Sequence, residues 1–294
     1  MRLGTVGPLL VLGAVLITGS CAGSKPSTPA ITANPTDVTL PGKFVWVDLL
    51  TDDLAGAKQF YGELFGWTFE SVQGVDSYVT IRNDGELAGG MLEVKRKKEH
   101  DSVTQWLGYI SVADVDDTVK VYQSKGGELH YGPVDIPGRG RAAVVSDSQG
   151  AYVALLRSDT GDPLDRSDTP GENAFMWIDY VANDPDEAFA FMADTFGWKH
   201  EVHHQTDDGI YYVFRQGDKP RAGLFKNPWP NVRPNWLPYV RVADAQAATE
   251  KVKSLGGTVI LEPSDDVRAG SVAVVLDPSG AGFVLQKYPF KEAS

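Results

Sequence analysis

The stretch FVWVDLLTDDLAGAKQFYGELFGW, residues 44–67, decides the fold, because it recurs in pattern as FMWIDYVANDPDEAFAFMADTFGW at residues 175–198. A second pair follows at nearly the same offset: WLGYISVADV begins at Trp106 and WLPYVRVADA begins at Trp236. A third pair, AAVVSDSQGA from Ala142 and VAVVLDPSGA from Val272, keeps the order. Matches that recur in one order at one spacing indicate a tandem duplication.

Each half carries the same succession of elements twice. A β-rich stretch ends at an Asp that is followed by an amphipathic stretch, and the Asp carboxylate suits the N-cap of a helix. The four Asp residues are Asp53, Asp114, Asp184 and Asp244. Gly66 and Gly197 then end the first helix of each half, and short β-branched runs bounded by Gly, Asp or Pro follow. This order predicts four βαβββ units, two in each half.

Two motifs carry a resemblance to a known family. They are FYGELFGW after the first helix and the turns Asp147–Ala151 and Asp277–Ala281 before the last strand of each half. On these motifs the chain resembles the vicinal-oxygen-chelate superfamily of glyoxalases, bleomycin-resistance proteins and extradiol dioxygenases, especially its secreted actinobacterial antigen and hydroxylase-like members. The resemblance implies an α+β fold with two tandem glyoxalase/bleomycin-resistance-like domains. In each domain, two βαβββ units form a curved, mostly antiparallel sheet with helices outside and the site on the concave face.

The N-terminus differs from the rest of the chain. Residues 9–17 are apolar but too few to span a bilayer, so residues 1–20 are predicted to be a signal peptide. Cys21 is the single cysteine and stands where a bacterial lipobox would place the acylated residue. We therefore expect an extracytoplasmic protein that is anchored to the cell membrane by lipid, with ordinary secretion or an uncleaved anchor as alternatives.

Composition shifts place the domain boundaries. Residues 21–41 are rich in Ser, Thr, Pro and Ala and are predicted to be a flexible tether. Residues 42–158 and 173–290 are the two domains, and residues 159–172 are a polar linker. We expect each domain to bury a core of its own. With 27 basic and 39 acidic side chains the net charge is −12, which argues against nucleic acid as a partner.

The resemblance also locates the positions at which the family binds a divalent metal. In the first half they fall on Trp46, Leu107 and Ala154, with the fourth near Met91; in the second they fall on Trp177, Leu237 and Val284, with the fourth near Phe225. A metal site needs at least three converging donor side chains. One carboxylate near Met91, that of Glu93, does not supply them, so the sequence predicts no metal and no other cofactor.

Strand alternation indicates which residues share the concave face. The predicted ligand pocket comprises Trp46, Asp48, Tyr109, Tyr152, Trp177, Asp179, Tyr239 and Arg241. Aromatic rings beside a carboxylate suit a flat, partly cationic organic molecule. The alternative is a collapsed core in which the tryptophans fill the space of a lost metal. In that core Tyr78, Arg82 or Arg141 would satisfy the Asp48 carboxylate.

Three functions follow from this pattern. The first is metal-independent binding of a small apolar or aromatic molecule outside the cytoplasm. The second is a glyoxalase-, lyase- or hydroxylase-like enzyme that uses Asp48 or Asp179 as a general base. The third is a surface interaction protein in which the repeated fold is a scaffold, because one fold hosts many functions.

Overall fold

The computed structural model describes residues 28–95, 104–166, 168–206 and 209–289. Cys21 and the predicted signal peptide lie outside these ranges. The first half contains β1 (Phe44–Thr51), α1 (Leu54–Phe65), β2 (Thr68–Val72), β3 (Val75–Asn83), β4 (Glu86–Glu93), β5 (Gln105–Ser111), α2 (Val115–Ser124), β6 (Glu128–Ile136), β7 (Gly140–Ser146) and β8 (Tyr152–Ser158). The second half contains β9 (Phe175–Ala182), α3 (Pro185–Phe196), β10 (Lys199–Thr206), β11 (Gly209–Gln216), β12 (Lys219–Lys226), β13 (Asn235–Val242), α4 (Ala245–Ser254), β14 (Thr258–Leu261), a 3-10 turn (Arg268–Gly270), β15 (Val272–Leu276) and β16 (Gly282–Lys287).

Each half forms one sheet of eight strands, and the two sheets have the same order. The first runs β2-β3-β4-β1-β5-β8-β7-β6 and the second runs β10-β11-β12-β9-β13-β16-β15-β14. Within each sheet two neighbouring pairs are parallel and the others are antiparallel. The duplication, the βαβββ units and the α+β class predicted from the sequence are therefore confirmed.

The helices begin and end where the sequence predicts. The Asp53 carboxylate accepts from the amide of Gly56, and Asp114, Asp184 and Asp244 cap the other three helices in the same way. Gly66 and Gly197 end α1 and α3 at φ 73° and 67°, which a residue with a Cβ adopts only at a cost. None of the described helices is long and apolar enough to cross a bilayer.

The helix side of each sheet is buried against the other half of the chain. One core contains α2 with β7 and β8 of the first half together with α3, β11 and β12 of the second, and the rings of Tyr122 and Phe191 meet there at 4.8 Å. The other joins α1 to β15 and β16, where Tyr61 and Phe283 meet at 5.6 Å. On this side the two halves are packed so closely that each apolar cluster contains residues of both. Two helices of 12 and 10 residues leave apolar surface on an eight-stranded sheet, and the other half covers it.

Two buried hydrogen bonds between the halves explain the Asp of the repeated turn. The Tyr61 hydroxyl donates to Asp277 Oδ2 at 3.1 Å, and the Tyr180 hydroxyl donates to Asp147. Each carboxylate also accepts from the amide that closes its own turn, that of Ala281 or Ala151. The turn motif therefore joins the two halves.

Candidate functional site

The concave face of the first half is centred on a buried carboxylate. Asp48 lies on β1 and is 2% exposed. Its Oδ1 accepts from Trp46 Nε1 at 2.7 Å and from the Tyr78 hydroxyl at 2.8 Å, and its Oδ2 accepts from the Tyr109 hydroxyl at 2.7 Å. The donors come from β1, β3 and β5, so the carboxylate links strands on both sides of β1, with β4 between β1 and β3.

A buried arginine completes this group. Arg139, in the turn between β6 and β7, is 2% exposed. Its Nη1 lies 3.6 Å from Asp48 Oδ2, and its Nη2 donates to the Tyr78 hydroxyl at 3.0 Å. The guanidinium also lies 4.6 Å from the centre of the Trp46 ring. The two opposite charges share one hydrogen-bonded cluster, which a buried ion pair requires. We call these five residues the Asp48 network.

The second half repeats the arrangement. Asp179, 0% exposed on β9, accepts from Trp177 Nε1 at 2.8 Å, from the Tyr211 hydroxyl at 2.7 Å and from the Tyr239 hydroxyl. Arg268, in the 3-10 turn before β15, lies 4.8 Å from the centre of the Tyr211 ring. We call these five residues the Asp179 network. The same five residue types, one Trp, one Asp, two Tyr and one Arg, occupy both faces.

One glycine in each half makes room for the carboxylate and its phenol. A Cβ on Gly90 would lie 2.0 Å from the Tyr78 hydroxyl and 2.3 Å from Asp48 Oδ1. A Cβ on Gly223 would lie 2.0 Å from Asp179 Oδ1 and 2.1 Å from the Tyr211 hydroxyl. These distances exclude any other residue without displacement of the network. The two glycines pair with the two aspartates in the parallel ladders of β1 with β4 and of β9 with β12.

Burial governs the protonation of both networks. It raises the pKa of the Asp179 carboxyl, and Arg268 and the three donors lower that pKa by less. Burial and the neighbouring carboxylate together raise the pKa values of Tyr78, Tyr109, Tyr211 and Tyr239, so these phenols stay protonated and donate.

The arrangement leaves no donor set for a metal. Internal donors occupy both oxygens of Asp48, while Leu107 and Ala154, at two of the family's ligand positions, lie in the apolar cluster around it. Over the described ranges, no three His, Cys, Asp or Glu side chains come together as a metal site would need.

Residues 28–34 cover the concave face of the first half. Ile31 is 4% exposed and packs in the cluster that contains Trp46, Leu107 and Tyr109. The Pro29 carbonyl accepts from Arg139 Nε at 3.3 Å and Nη2 at 3.2 Å. A cleft of about 320 Å³ remains beside this segment. These residues belong to the predicted tether, and in the structure they lie against the first domain.

The concave face of the second half is surrounded by side chains of its own half. Its floor is buried and apolar, formed by Val181, Leu237, Tyr239, Val272, Val274 and Val284. Around the floor stand the partly buried side chains of Met176, Trp177, Phe225, Trp229, Leu261 and Val267. Among the described residues, neither the N-terminal segment nor the linker contributes to this cluster. Trp177 and Arg268 accordingly remain partly exposed, whereas Trp46 and Arg139 are buried.

The structure brings together six of the eight predicted pocket residues. Trp46, Asp48 and Tyr109 meet in one network, and Trp177, Asp179 and Tyr239 meet in the other. Tyr152 lies further along the first face, with its ring 4.5 Å from that of His130 and 5.1 Å from the guanidinium of Arg233. Arg241 is in neither network, since its Nε donates to the Tyr288 carbonyl and its Nη1 to the Pro170 carbonyl.

Sequence reasoning missed Arg139, Arg268 and Tyr211 and treated Tyr78 only as one possible partner of Asp48. Tyr78 is such a partner, whereas Arg82 pairs with Glu70 and Arg141 pairs with Asp116 and Asp135. A signal for the missing residues existed. Tyr78 and Tyr211 lie 133 positions apart and Arg139 and Arg268 lie 129 apart, close to the period of the duplication.

Comparisons with known proteins agree on the fold. The family model described as "Glyoxalase/Bleomycin resistance protein/Dioxygenase superfamily" matches residues 43–155 and again 174–285. The chain is 32% identical over 247 residues to the Mycobacterium tuberculosis protein named "Putative glyoxylase CFP32", covering 82% of this chain and 93% of that protein. It is 31% identical over 261 residues to "Anthracycline biosynthesis protein DnrV" of Streptomyces peucetius, covering 83% and 92%. A solved Mn(II)-bound glyoxalase from Novosphingobium aromaticivorans superposes with a TM-score of 0.57 at 14% identity, covering 87% of this chain and 85% of that one, which shows the shared fold alone.

Proposed function

Because the chain belongs to the glyoxalase/bleomycin resistance protein/dioxygenase superfamily, in which the concave sheet face holds the site, we propose that it binds an apolar or aromatic organic molecule on the concave face of its second half, without a metal. One observation carries the proposal: aromatic and aliphatic side chains stand partly buried around an apolar floor, and neither the described N-terminal segment nor the described linker packs in this cluster.

The rim of this face has the composition of a small-molecule site. Trp177, Phe225 and Trp229 offer three aromatic side chains, and the rings of the last two meet edge to face at 6.4 Å. Ligand sites are mostly apolar, with few polar groups that fix orientation. Here the polar groups are those of the Asp179 network, to which Trp177 belongs through its N–H. A flat molecule that stacks on Trp177 would bury apolar surface at a place that is otherwise partly exposed.

The relatives support an aromatic ligand. Two Streptomyces proteins that are 31% and 30% identical to this chain are named for anthracycline biosynthesis. An anthracycline is a planar fused-ring molecule, so its shape suits a face lined by tryptophan and phenylalanine.

The metal-independent part of the proposal has its own support. The family's ligand positions carry Trp177, Leu237 and Val284, and the one nearby carboxylate, Asp179, is already held by three donors. Elemental analysis of untagged protein tests this point. Close to one Ni, Zn, Fe or Mn per domain would overturn it.

An enzyme is the second candidate, because Asp179 is a buried carboxylate whose pKa burial raises, a residue type that serves as a general base, and because relatives are named as glyoxylases. The two candidates differ in one measurement. A compound that binds is incubated with the protein, and the mixture is analysed by chromatography with mass detection. If the chain is an enzyme, the wild type forms a product that Asp179→Asn does not form. A binding protein returns the compound unchanged.

We also propose that the protein is extracytoplasmic and that Cys21 carries the lipid which anchors it to the membrane. The support is the sequence pattern alone, since Cys21 lies outside the described residues. Wild-type protein should partition into the detergent phase, and Cys21→Ser should move it to the aqueous phase. Equal partition of the two proteins would contradict the anchor.

A thermal-shift screen of aromatic compounds tests the ligand proposal. Compounds that raise the melting temperature of the wild type should bind Trp177→Ala about ten- to a hundredfold more weakly, given the ring area that such a contact buries. Val202→Ala is the matched control, because Val202 is an exposed apolar residue of the same half that pairs with Tyr212 on the helix side. If no compound raises the melting temperature of the wild type, the ligand-binding proposal fails, and the function as a surface interaction protein takes its place.

A further inference from the structure

The N-terminal segment shows what the first concave face accepts. The Pro29 carbonyl receives two hydrogen bonds from Arg139, and two residues later the branched side chain of Ile31 is buried beside Trp46. The bound group is thus an uncharged oxygen acceptor joined to an apolar group. The group that binds Arg139 does not have to be a carboxylate, because Asp48 Oδ2 already lies 3.6 Å from Arg139 Nη1 and offsets the positive charge.

The second half offers the same positions without the segment. Arg268 lies over the Tyr211 ring, and its Nη1 donates to the side-chain carbonyl Oε1 of Gln286 at 3.3 Å, which leaves its other N–H groups for a further acceptor. Among the described residues, no backbone carbonyl accepts from Arg268 as that of Pro29 accepts from Arg139. Arg268 lies over the rings of Tyr211 and Tyr239, whose hydroxyls both donate to Asp179, so this carboxylate is close enough to offset the positive charge. An incoming oxygen therefore needs no charge of its own.

The backbone around Arg268 is held in a costly conformation. Arg268 and its neighbour Ala269 have φ values of 48° and 50°, in the left-handed region that residues with a Cβ rarely adopt. Such conformations persist where the surroundings impose them, and they are concentrated at ligand sites. Here the conformation places the guanidinium over the aromatic rings of the Asp179 network.

We propose that the ligand of the second half carries a neutral carbonyl oxygen that accepts a hydrogen bond from Arg268, with its apolar part beside Trp177 and Leu237. Residues 29–31 then imitate this ligand in the first half. The inference rests on the proposed function and adds the chemical class of the ligand, an aromatic ketone or related carbonyl compound.

Two naphthalenes of equal shape test it on the full chain. In 2-acetonaphthone a carbonyl oxygen stands where 2-isopropenylnaphthalene has a methylene group. Titration calorimetry should show the wild type binding the ketone about ten- to a hundredfold more tightly, as expected for one hydrogen bond from a charged donor. Arg268→Met should abolish this preference, so that both compounds bind the variant with similar affinity. Arg215→Gln, which removes a surface pair with Glu201 in the same half, should keep the preference.

The outcomes separate the two proposals. The role of Arg268 is overturned if the wild type binds both compounds with equal affinity, or if the preference for the ketone persists in Arg268→Met. In both cases the measured binding still supports the proposed function. Failure of the wild type to bind either compound overturns both. The comparison of the two ligands on the wild type needs no variant, so a destabilised Arg268→Met does not prevent a decision.

Discussion

Alanine at Trp46 and at its counterpart Trp177 should have different consequences, although both indoles donate to a buried aspartate. Trp46 is 6% exposed and packs against Ile31, Leu107 and Tyr109. Removal of a buried Trp costs about 3–5 kcal/mol. The loss of one donor to a buried carboxylate adds about 1–3 kcal/mol. We therefore expect Trp46→Ala to lower the free energy of unfolding by about 4–8 kcal/mol.

Trp177→Ala should cost less stability, because Trp177 is partly exposed whereas Trp46 is buried. With a smaller buried area and the same lost donor, Trp177→Ala should cost about 2–3 kcal/mol. It should also weaken binding of aromatic ligands, which Trp46→Ala should leave nearly unchanged. The measurement is urea unfolding followed by fluorescence, with the slope m as a check that the unfolded states are alike.

Phenylalanine at each position serves as the control. Trp46→Phe and Trp177→Phe keep most of the ring but lose the N–H that donates to Asp48 or Asp179 at 2.7 and 2.8 Å. The two should therefore cost similar amounts, about 1–3 kcal/mol. The reasoning is refuted if the two alanine variants lose equal stability and ligand affinity is unchanged in Trp177→Ala. Both faces would then be filled cores.

Three further predictions follow from the networks. Gly223→Ala should destabilise the protein by about 1–3 kcal/mol, because its Cβ would lie 2.0 Å from Asp179 Oδ1, whereas Gly171→Ala, with nothing within 4 Å, should be nearly neutral in urea unfolding. The raised pKa of Tyr239 means that its stabilising contribution is present below about pH 10 and is lost as the pH rises toward the folded-state value, by about 1.4 kcal/mol per pH unit. The phenolate absorbance at 295 nm that the wild type shows in excess of Tyr239→Phe should therefore appear only together with loss of fold; the same excess in folded protein just above pH 10 would contradict the burial argument. Ile31→Asp puts a charge into the buried cluster and should therefore displace residues 28–34 from the first face. Calorimetry should then show two bound ligands per chain instead of one. An unchanged stoichiometry would mean that this face has no site beneath the segment.

Local pattern was sufficient for the elements and their order. Asp53 before an apolar helical face and Gly66 after it define α1 through hydrogen bonds within a few residues. The duplicated stretch then extends that assignment to α3. Strand alternation correctly put Trp46, Asp48 and Tyr109 on one face, because neighbouring side chains of a strand point to opposite sides. Such features depend on contacts that are short along the chain, so the sequence alone determines them.

Contacts that are distant along the chain required the tertiary structure. The donation from Arg139 to the Pro29 carbonyl joins residues 110 positions apart, and the buried bond between Tyr61 and Asp277 joins residues 216 apart. The hydrophobic periodicity of the sequence does not predict such pairs. It shows which face of a helix or strand is apolar, but not which loop or which half of the chain will cover that face. The sequence therefore determined the duplicated fold and the concave face. Only tertiary packing decided that the halves share their helix-side cores and that Ile31 covers the first face, leaving Trp177 and Arg268 partly exposed on the second.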